Sequence, residues 1–117
     1  MLTFEIEALQ NIKERLLQKI PDHFVCMYAF GSRVRGDFTA DSDFDVLIVV
    51  KNKTPQIEDT IVGVIVEEEL QHGISFTPLI KDSKSFELEQ QYHTPFYSNI
   101  VNEGIQLWHC HRKIKRR

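Results

Sequence analysis

Two apolar runs enclose one polar loop in the first half of the chain. The runs are VCMYAF at residues 25–30 and FDVLIVV at Phe44–Val50, and the segment between them reads GSRVRGDFTADSD. Continuous apolar runs of this length indicate buried strands. The second run is apolar on both faces beyond Asp45, which predicts a central position in a sheet. The chain is thereby constrained to a strand–loop–strand unit with polar groups at both ends of the loop.

The ends of this loop carry groups suited to phosphate and metal chemistry. Gly31 permits backbone conformations that other residues avoid and lets phosphate approach closely. Ser32 offers a hydroxyl and an N–H, and a short helix beginning near it would present its positive end to phosphate. Asp43 and Asp45 are two residues apart on a predicted strand, so their side chains leave the same face. Like charges this close repel unless a cation lies between them. Taken alone, the pair would be interpreted as two solvated loop carboxylates, but with Gly31 and Ser32 upstream it favours a metal site.

The segment GSRVRGDFTADSDFDVLIVV resembles the active-site signature of the DNA polymerase beta-like nucleotidyltransferase superfamily. Its spacing of Gly-Ser, ten residues and Asp-x-Asp is that of the small stand-alone members, the minimal nucleotidyltransferase (MNT) domains. The resemblance implies an enzyme that uses Mg²⁺ or Mn²⁺ to transfer a nucleoside monophosphate from a nucleoside triphosphate, with ATP expected, to a hydroxyl. It implies catalytic and metal-binding roles for Asp43 and Asp45. The nucleotide-binding residues that it implies are Gly31, Ser32, Arg35 and Ser42.

The chain departs from the family pattern at the third metal-binding carboxylate. The superfamily carries this acid on a later strand, but the corresponding segment here reads GISFTPLI, with Ser75 and Thr77 where an acid is expected. Four acids flank the segment, and we expect none to reach the paired aspartates: Glu67, Glu68, Glu69 and Asp82. A catalytically weak or inactive nucleotide-binding module, acting as an antitoxin by partner binding, is therefore the alternative function.

Two long helices are predicted from apolar residues at three- and four-residue steps. The first covers residues 2–20, with Thr3 as its N-cap. Its apolar stripe comprises Leu2, Phe4, Ile6, Leu9, Ile12, Leu16, Leu17 and Ile20. The second begins with Thr54 as N-cap and Pro55 at its first position, and it ends at His72-Gly73. Its inward face is expected to comprise Ile57, Ile61, Val64, Ile65 and Glu68.

Shorter helices and strands are predicted for the last third of the chain. Residues 74–80 read as a strand that Pro78 restricts to a sheet edge or a strand end. A helix is predicted over residues 83–91. A second helix is predicted to begin with Thr94-Pro95 and to end at Gly104. Residues 105–108 form either a short strand or an apolar anchor. The fold class is α/β (α+β): a small mixed β-sheet flanked by helices.

Two side-chain groups near the C-terminus receive structural interpretations. An aromatic cluster is assigned to the core, although its central pair could also contact a partner; it comprises Tyr92, Phe96, Tyr97 and Trp108. His109-Cys110-His111 offers three soft ligands in one stretch with no distant pair to complete a tetrahedron, so it is interpreted as structural.

Composition limits the class of protein further. The length predicts a single nucleotidyltransferase-like domain over residues 1–117, with a basic tail at about residues 109–117. Five of the last six residues are basic, yet the net charge is −3, so the remaining body is acidic and a large nucleic-acid surface is not expected. A frayed, solvated terminus is favoured for the tail over binding to RNA or an acidic partner. No signal peptide or membrane span is recognised, and Cys26 is expected as a buried thiol in a reducing cytoplasm.

The resemblance also bears on partners. Larger relatives use an additional domain to hold the base and the acceptor, and this chain has no room for one. MNT proteins act with HEPN-domain proteins in toxin–antitoxin pairs, where the MNT subunit modifies a tyrosine of its partner. A HEPN-like protein or a second copy of this chain is therefore expected to complete the cleft. An antibiotic-modifying enzyme is disfavoured, because it needs a substrate pocket that this chain is too short to build.

Overall fold

Four strands form one mixed sheet in the computed structural model, which describes residues 3–31 and 44–109. The strands are β1 (Phe24–Phe30), β2 (Phe44–Val50), β3 (Phe76–Asp82) and β4 (Ile105–His109). The helices are α1 (Thr3–Lys19), α2 (Pro55–His72), α3 (Ser83–Tyr92) and α4 (Pro95–Glu103). The mixed sheet flanked by helices confirms the predicted fold class.

The sheet order is β3–β2–β1–β4, so β2 is an inner strand as predicted. Strand β1 pairs antiparallel with both β2 and β4, and β3 pairs parallel with β2. Strand β3 lies at an edge, which tolerates Pro78, but it begins two residues later than predicted. Residues 105–109 form a paired strand, which settles the alternative left open by the sequence. The antiparallel β1–β2 pair brings the end of β1 beside the start of β2.

The sheet separates two apolar clusters. One cluster packs α1 and α2 against the face that carries Phe44, Val46 and Ile48. The other packs α3 and α4 against the face that carries Leu47 and Val49. Each of these five β2 side chains is fully buried. Burial on both faces explains the continuous apolar sequence of β2. Cys26 is buried and forms no disulfide within the described residues, as expected.

Helix α1 differs from its predicted stripe near its N-terminus. Thr3 belongs to the helix, and Phe4 and Ile6 are 46% and 41% exposed, whereas Glu5 is 2% exposed. The assigned stripe is therefore wrong over the first turn and correct for Leu9, Ile12, Leu16 and Ile20. A stripe read from periodicity follows hydropathy alone, whereas burial depends on where the neighbouring elements end.

Helix α2 agrees with its local sequence signals. The Thr54 hydroxyl accepts a hydrogen bond from the Ile57 N–H at 3.2 Å, and Pro55 occupies the first turn. Gly73 ends the helix at φ 68°, a left-handed conformation that glycine adopts without strain. The buried residues are those predicted: Ile57, Ile61, Val64, Ile65 and Glu68.

The predicted aromatic cluster is divided between the two sheet faces. Trp108 stacks on Phe24 with ring centroids 4.6 Å apart, on the α1 side. Phe96 and Tyr97 pack on the opposite side, and Tyr92 is 71% exposed. The core assignment is therefore wrong for Tyr92, and the other three residues form no single cluster. No helix within the described ranges is both long and apolar enough to cross a membrane.

The end of α4 approaches β1 closely at Gly104. A Cβ placed on Gly104 would lie 2.6 Å from the carbonyl oxygen of Ile100 and 3.1 Å from that of Ala29. Backbone atoms cannot swing away as a flexible side chain can, so the approach depends on the absence of a side chain. Gly104 thereby fixes the last turn of α4 against the end of β1.

We expect Gly104→Ala to lower the free energy of unfolding by about 1–3 kcal/mol, because the added methyl must displace backbone. Urea denaturation followed by circular dichroism measures the change. Gly63→Ala is the control, because a Cβ at that mid-helix position meets nothing within 4 Å. It should stabilise the protein by about 0.5–1 kcal/mol. Equal effects of the two substitutions would contradict the close-packing argument.

Candidate functional site

Gly31 and Asp45 meet where β1 ends and β2 begins. The antiparallel register pairs Phe30 with Asp45, which places Gly31 at the mouth of the polar loop. Gly31 has φ 98°, a conformation that side chains disfavour. A Cβ built on Gly31 would overlap the Oδ2 atom of Asp45. Glycine is thus required both by the backbone turn and by the carboxylate beside it.

The two residues line one open cavity of about 380 Å³. Asp45 is half-buried and lies on the β2 face that continues into Leu47 and Val49, as its spacing predicts. The described residues around the cavity are Phe30, Gly31, Asp45, Phe96, Asn99, Ile100 and Glu103. The site therefore lies between the polar end of the sheet and helix α4.

No residue of α4 was predicted from the sequence to belong to this site. Phe96, Asn99, Ile100 and Glu103 follow one another at steps of three, one and three residues, which places them on one helix face. Ile100 is 1% exposed and anchors this face in the second apolar cluster. The spacing was a usable signal, but no local rule says which sheet face a helix will cover.

An ion-pair network supports the aromatic wall of the cavity. Lys81 lies 2.6 Å from a Glu89 carboxylate oxygen, and the Thr94 hydroxyl donates to the other oxygen at 2.7 Å. The hydrogen bond from Lys81, followed by that from Thr94, holds the pKa of Glu89 below its ordinary value. The Lys81 ammonium also lies 5.0 Å from the centre of the Phe96 ring. These contacts tie the second half of β3 to the start of α4.

Two of the four flanking acids stabilise the α1–α2 packing. Glu67 is ion-paired with Arg15, and this hydrogen bond lowers the pKa of Glu67. Glu68 is buried, with its carboxylate oxygens 3.7 Å from Arg15 Nη1 and 3.2 Å from His72 Nε2. The contact with His72 lacks the alignment of a hydrogen bond. Both glutamates lie on the sheet side opposite to Asp45.

The other two acids have roles at the ends of β3. Glu69 accepts a hydrogen bond from the Phe76 N–H at 2.8 Å, so its carboxylate reaches the start of β3. Asp82 accepts hydrogen bonds from the backbone N–H groups of Lys53 and Lys84, which lower its pKa. Asp82 lies at the far end of β3, five residues beyond Thr77, the register partner of Asp45. That separation is about 16 Å along a strand.

The donor chemistry of the cavity fits a hard divalent cation. Asp45 and Glu103 supply carboxylate oxygens and Asn99 supplies an amide oxygen, which are ligand types that Mg²⁺ and Mn²⁺ accept. No group of three or more acidic, histidine or cysteine side chains arranged for a metal occurs within the two described ranges. The other predicted site residues, Asp43 among them, lie outside those ranges, as do Ser32, Arg35 and Ser42. The structure thus brings Gly31 and Asp45 together, and the functional roles stay predictions.

Gly31→Ala should abolish nucleotide binding while Gly73→Ala preserves it. Both glycines have positive φ, so alanine costs each about 1–2 kcal/mol of stability. Only at Gly31 would the methyl also displace a carboxylate, because a Cβ at Gly73 meets nothing within 4 Å. Isothermal titration with Mg²⁺ and a non-hydrolysable ATP analogue compares the two variants. Retained binding by a folded Gly31→Ala protein would show that the turn does not serve the nucleotide.

Comparison with known proteins identifies a family for the chain. The sequence profile of the nucleotidyltransferase domain matches residues 9–106. Two proteins of Methanocaldococcus jannaschii, both named as candidate protein adenylyltransferases, are similar along nearly their whole length. The alignment with the first protein has 27% identity and covers 87% of this chain and 97% of that protein. The alignment with the second has 25% identity and covers 89% of this chain and 98% of that protein.

Solved structures share the fold. A nucleotidyltransferase candidate from Sulfolobus solfataricus superimposes with a TM-score of 0.50 at 24% identity, covering 92% of this chain and 82% of that one. A chain from a toxin–antitoxin complex with AMP-PNP superimposes with a TM-score of 0.57 at 21% identity. The superposition covers 88% of this chain and 74% of that one. With the profile matching most of the sequence, the chain belongs to the nucleotidyltransferase domain family and is a nucleotidyltransferase.

Proposed function

We propose that this nucleotidyltransferase transfers the adenosine monophosphate portion of ATP to a hydroxyl group in a Mg²⁺-dependent reaction. The observation that carries the proposal is the contact between the side-chain-free Gly31 turn and the Asp45 carboxylate on one cavity wall. A turn without a side chain gives phosphate access to backbone, and a carboxylate beside it gives a place for the accompanying cation.

In this proposal each residue has a distinct task. Asp45, with Asp43, holds the metal ion and orients the triphosphate. Gly31 and Ser32 contact phosphate oxygens through the backbone and the hydroxyl, Arg35 contacts phosphate, and Ser42 orients the loop before Asp43. A Mg²⁺ ion held by these carboxylates would supply positive charge to offset that of the triphosphate and of the departing pyrophosphate. The acceptor hydroxyl oxygen forms a bond to the α-phosphorus and gives up its proton to solvent, the bond between the α-phosphorus and the bridging oxygen breaks, and pyrophosphate leaves with that oxygen.

ATP is the proposed nucleotide and a protein hydroxyl the proposed acceptor. Support comes from the names of the two M. jannaschii relatives, which specify adenylyl transfer to protein, and from the AMP-PNP in one structural neighbour. We propose that residues 1–117 act as one cytoplasmic nucleotidyltransferase domain and that a second protein, HEPN-like, or a second copy of the chain completes the cleft. The net charge of −3 disfavours nucleic acid as the acceptor.

The test is transfer of label from ATP carrying ³²P at the α-phosphate. The purified chain is incubated with labelled ATP and Mg²⁺, alone and with the product of the neighbouring gene. Label on protein, with pyrophosphate released in equal amount, is the expected result. If neither Mg²⁺ nor Mn²⁺ supports transfer under either condition, the proposal of an active transferase fails.

One observation favours a second candidate function, a nucleotide-binding or antitoxin module that acts by partner binding. Thr77 stands directly across the parallel ladder from Asp45, where the family pattern expects an acid on the neighbouring strand. In a two-metal scheme that acid helps to hold the ion that activates the acceptor. Neutralisation of a partner toxin by a chain that binds ATP but transfers no label would establish this function.

A further inference from the structure

We infer that Glu103 supplies the carboxylate that strand β3 lacks, so that helix α4 completes the metal–nucleotide site begun by Asp45. The inference rests on the proposed function, because it concerns the same cavity and the same cation. It adds a residue outside the Gly-Ser and Asp-x-Asp segment and outside the strand that carries the acid in the family pattern.

The first argument is position. Glu103 and Asp45 line the same cavity of about 380 Å³, from opposite walls: one on the last turn of α4, the other at the start of β2. Glu103 is solvent-exposed and Asp45 half-buried. A hydrated cation in this cavity would therefore have one exposed and one half-buried carboxylate in its surroundings.

The second argument is that the fold fixes the backbone of Glu103. One turn before it, Ile100 is 1% exposed and packs in the second apolar cluster. Directly after it, the Gly104 N–H donates to the Ile100 carbonyl at 2.9 Å, and Gly104 lies close against Ala29 of β1. Because the backbone is anchored on both sides of Glu103, ligand binding has to order its side chain and not the helix end, which favours binding.

The third argument is elimination within the described residues. Thr77 occupies the position beside Asp45 on β3, and Asp82 lies at the other end of that strand. Glu67 and Glu68 contact Arg15, and Glu69 holds the Phe76 N–H. Glu103 is the one described carboxylate that shares the cavity with Asp45.

The fourth argument is the chemistry of the cavity wall. Two of its seven described residues are carboxylates, and their charge favours a cation beside them. Asn99 lies one helical turn before Glu103 and adds an amide oxygen on the same face. Oxygen donors from carboxylate and amide groups suit Mg²⁺ and Mn²⁺ and are poorly suited to softer metals.

The experiment measures Mn²⁺ binding by electron paramagnetic resonance, in the presence of a non-hydrolysable ATP analogue. We expect Glu103→Gln to weaken Mn²⁺ binding by about tenfold or more, and Glu103→Asp, which keeps a shorter carboxylate, to weaken it less. Glu7→Gln is the matched control, since it removes the same group from an exposed position on α1, across the sheet. Asp45→Asn is the reference for the site itself. Circular dichroism and the urea midpoint identify the folded variants that enter the comparison.

The outcomes separate this inference from the proposed function. If Asp45→Asn weakens binding and Glu103→Gln leaves it within twofold of the parent, Glu103 is not a ligand and the proposed function still stands. If neither substitution changes the affinity, or if the parent binds no Mn²⁺, both the inference and the proposed metal site are wrong. Loss in Glu103→Gln with partial recovery in Glu103→Asp, and none in Glu7→Gln, supports the inference.

Discussion

Asp45→Asn should reduce adenylyl transfer by at least about 10²- to 10³-fold, with little change in stability. Asparagine keeps the shape of the side chain, so the contact with the Gly31 turn can persist, but it removes the negative charge that the proposed metal ion needs. A metal ion stabilises transition-state charge by several kcal/mol, and each 1.36 kcal/mol corresponds to tenfold in rate. Initial rates with labelled ATP, measured at saturating Mg²⁺, give the factor directly.

The matched control is Asp59→Asn. Asp59 is exposed on α2 and lines a smaller cavity between α1 and α2, so the substitution removes one charge from the opposite side of the sheet. Its transfer rate should stay within twofold of that of the parent. If the two variants lose activity equally, the effect reflects net charge and not the site. If the Asp45→Asn variant keeps full activity, the carboxylate beside Gly31 is not catalytic.

Local sequence signals predicted the elements whose ends are fixed by neighbouring residues. Helix α2 begins and ends where Thr54, Pro55 and Gly73 require, because each acts on backbone within a few residues. Strand β2 was assigned correctly because a short apolar run rich in Val and Ile is typical of a strand that is buried on both faces. The strand–loop–strand unit predicted from the same segment also accounts for the meeting of Gly31 with Asp45, since an antiparallel pair returns the chain to its starting edge.

Features decided by distant parts of the chain were not predictable in this way. Glu5 is buried and Ile6 exposed because elements far along the chain decide which side of α1 is covered. Trp108 lies across the sheet from Phe96 because it belongs to β4 and its side chain leaves the sheet face opposite to the one that α4 covers. Glu103 escaped notice for the same reason: one carboxylate on a helix acquires meaning only when the helix is placed over the site.

The family pattern and the topology together bear on where the third metal-binding acid lies. The pattern expects this acid on the strand beside β2, and the structure has Thr77 at that position. The opposite wall of the cavity is formed by α4, which returns to the sheet immediately before β4. Supply of the third carboxylate by α4 in place of β3 thus requires no change of fold. Activity that depends on Glu103 would favour the enzyme, and activity absent from every variant and the parent would favour the partner-binding module.

Mg²⁺ and ATP should stabilise the protein together and have little effect separately. Carboxylates at this site need a cation to offset their repulsion, and the cation needs phosphate oxygens to complete its coordination. A ligand present at 100 times its dissociation constant adds about 2.7 kcal/mol to the free energy of unfolding, provided that the unfolded chain does not bind it. Urea denaturation with Mg²⁺ alone, ATP alone and both together measures the three shifts, with Ca²⁺ as an additional cation.

The double variant Asp43→Asn with Asp45→Asn decides where the stabilising complex binds. Loss of both charges should remove the joint shift, while the stability without ligand stays the same or rises, because two like charges have been neutralised. Asp59→Asn should keep the whole shift, since its cavity lies on the far side of the sheet. A double variant that still gains about 2.7 kcal/mol would show that the metal–nucleotide complex binds elsewhere. ATP that stabilises the parent equally well in the presence of a chelator would show that the site recognises the nucleotide without a metal, and the proposed roles of both aspartates would then be wrong.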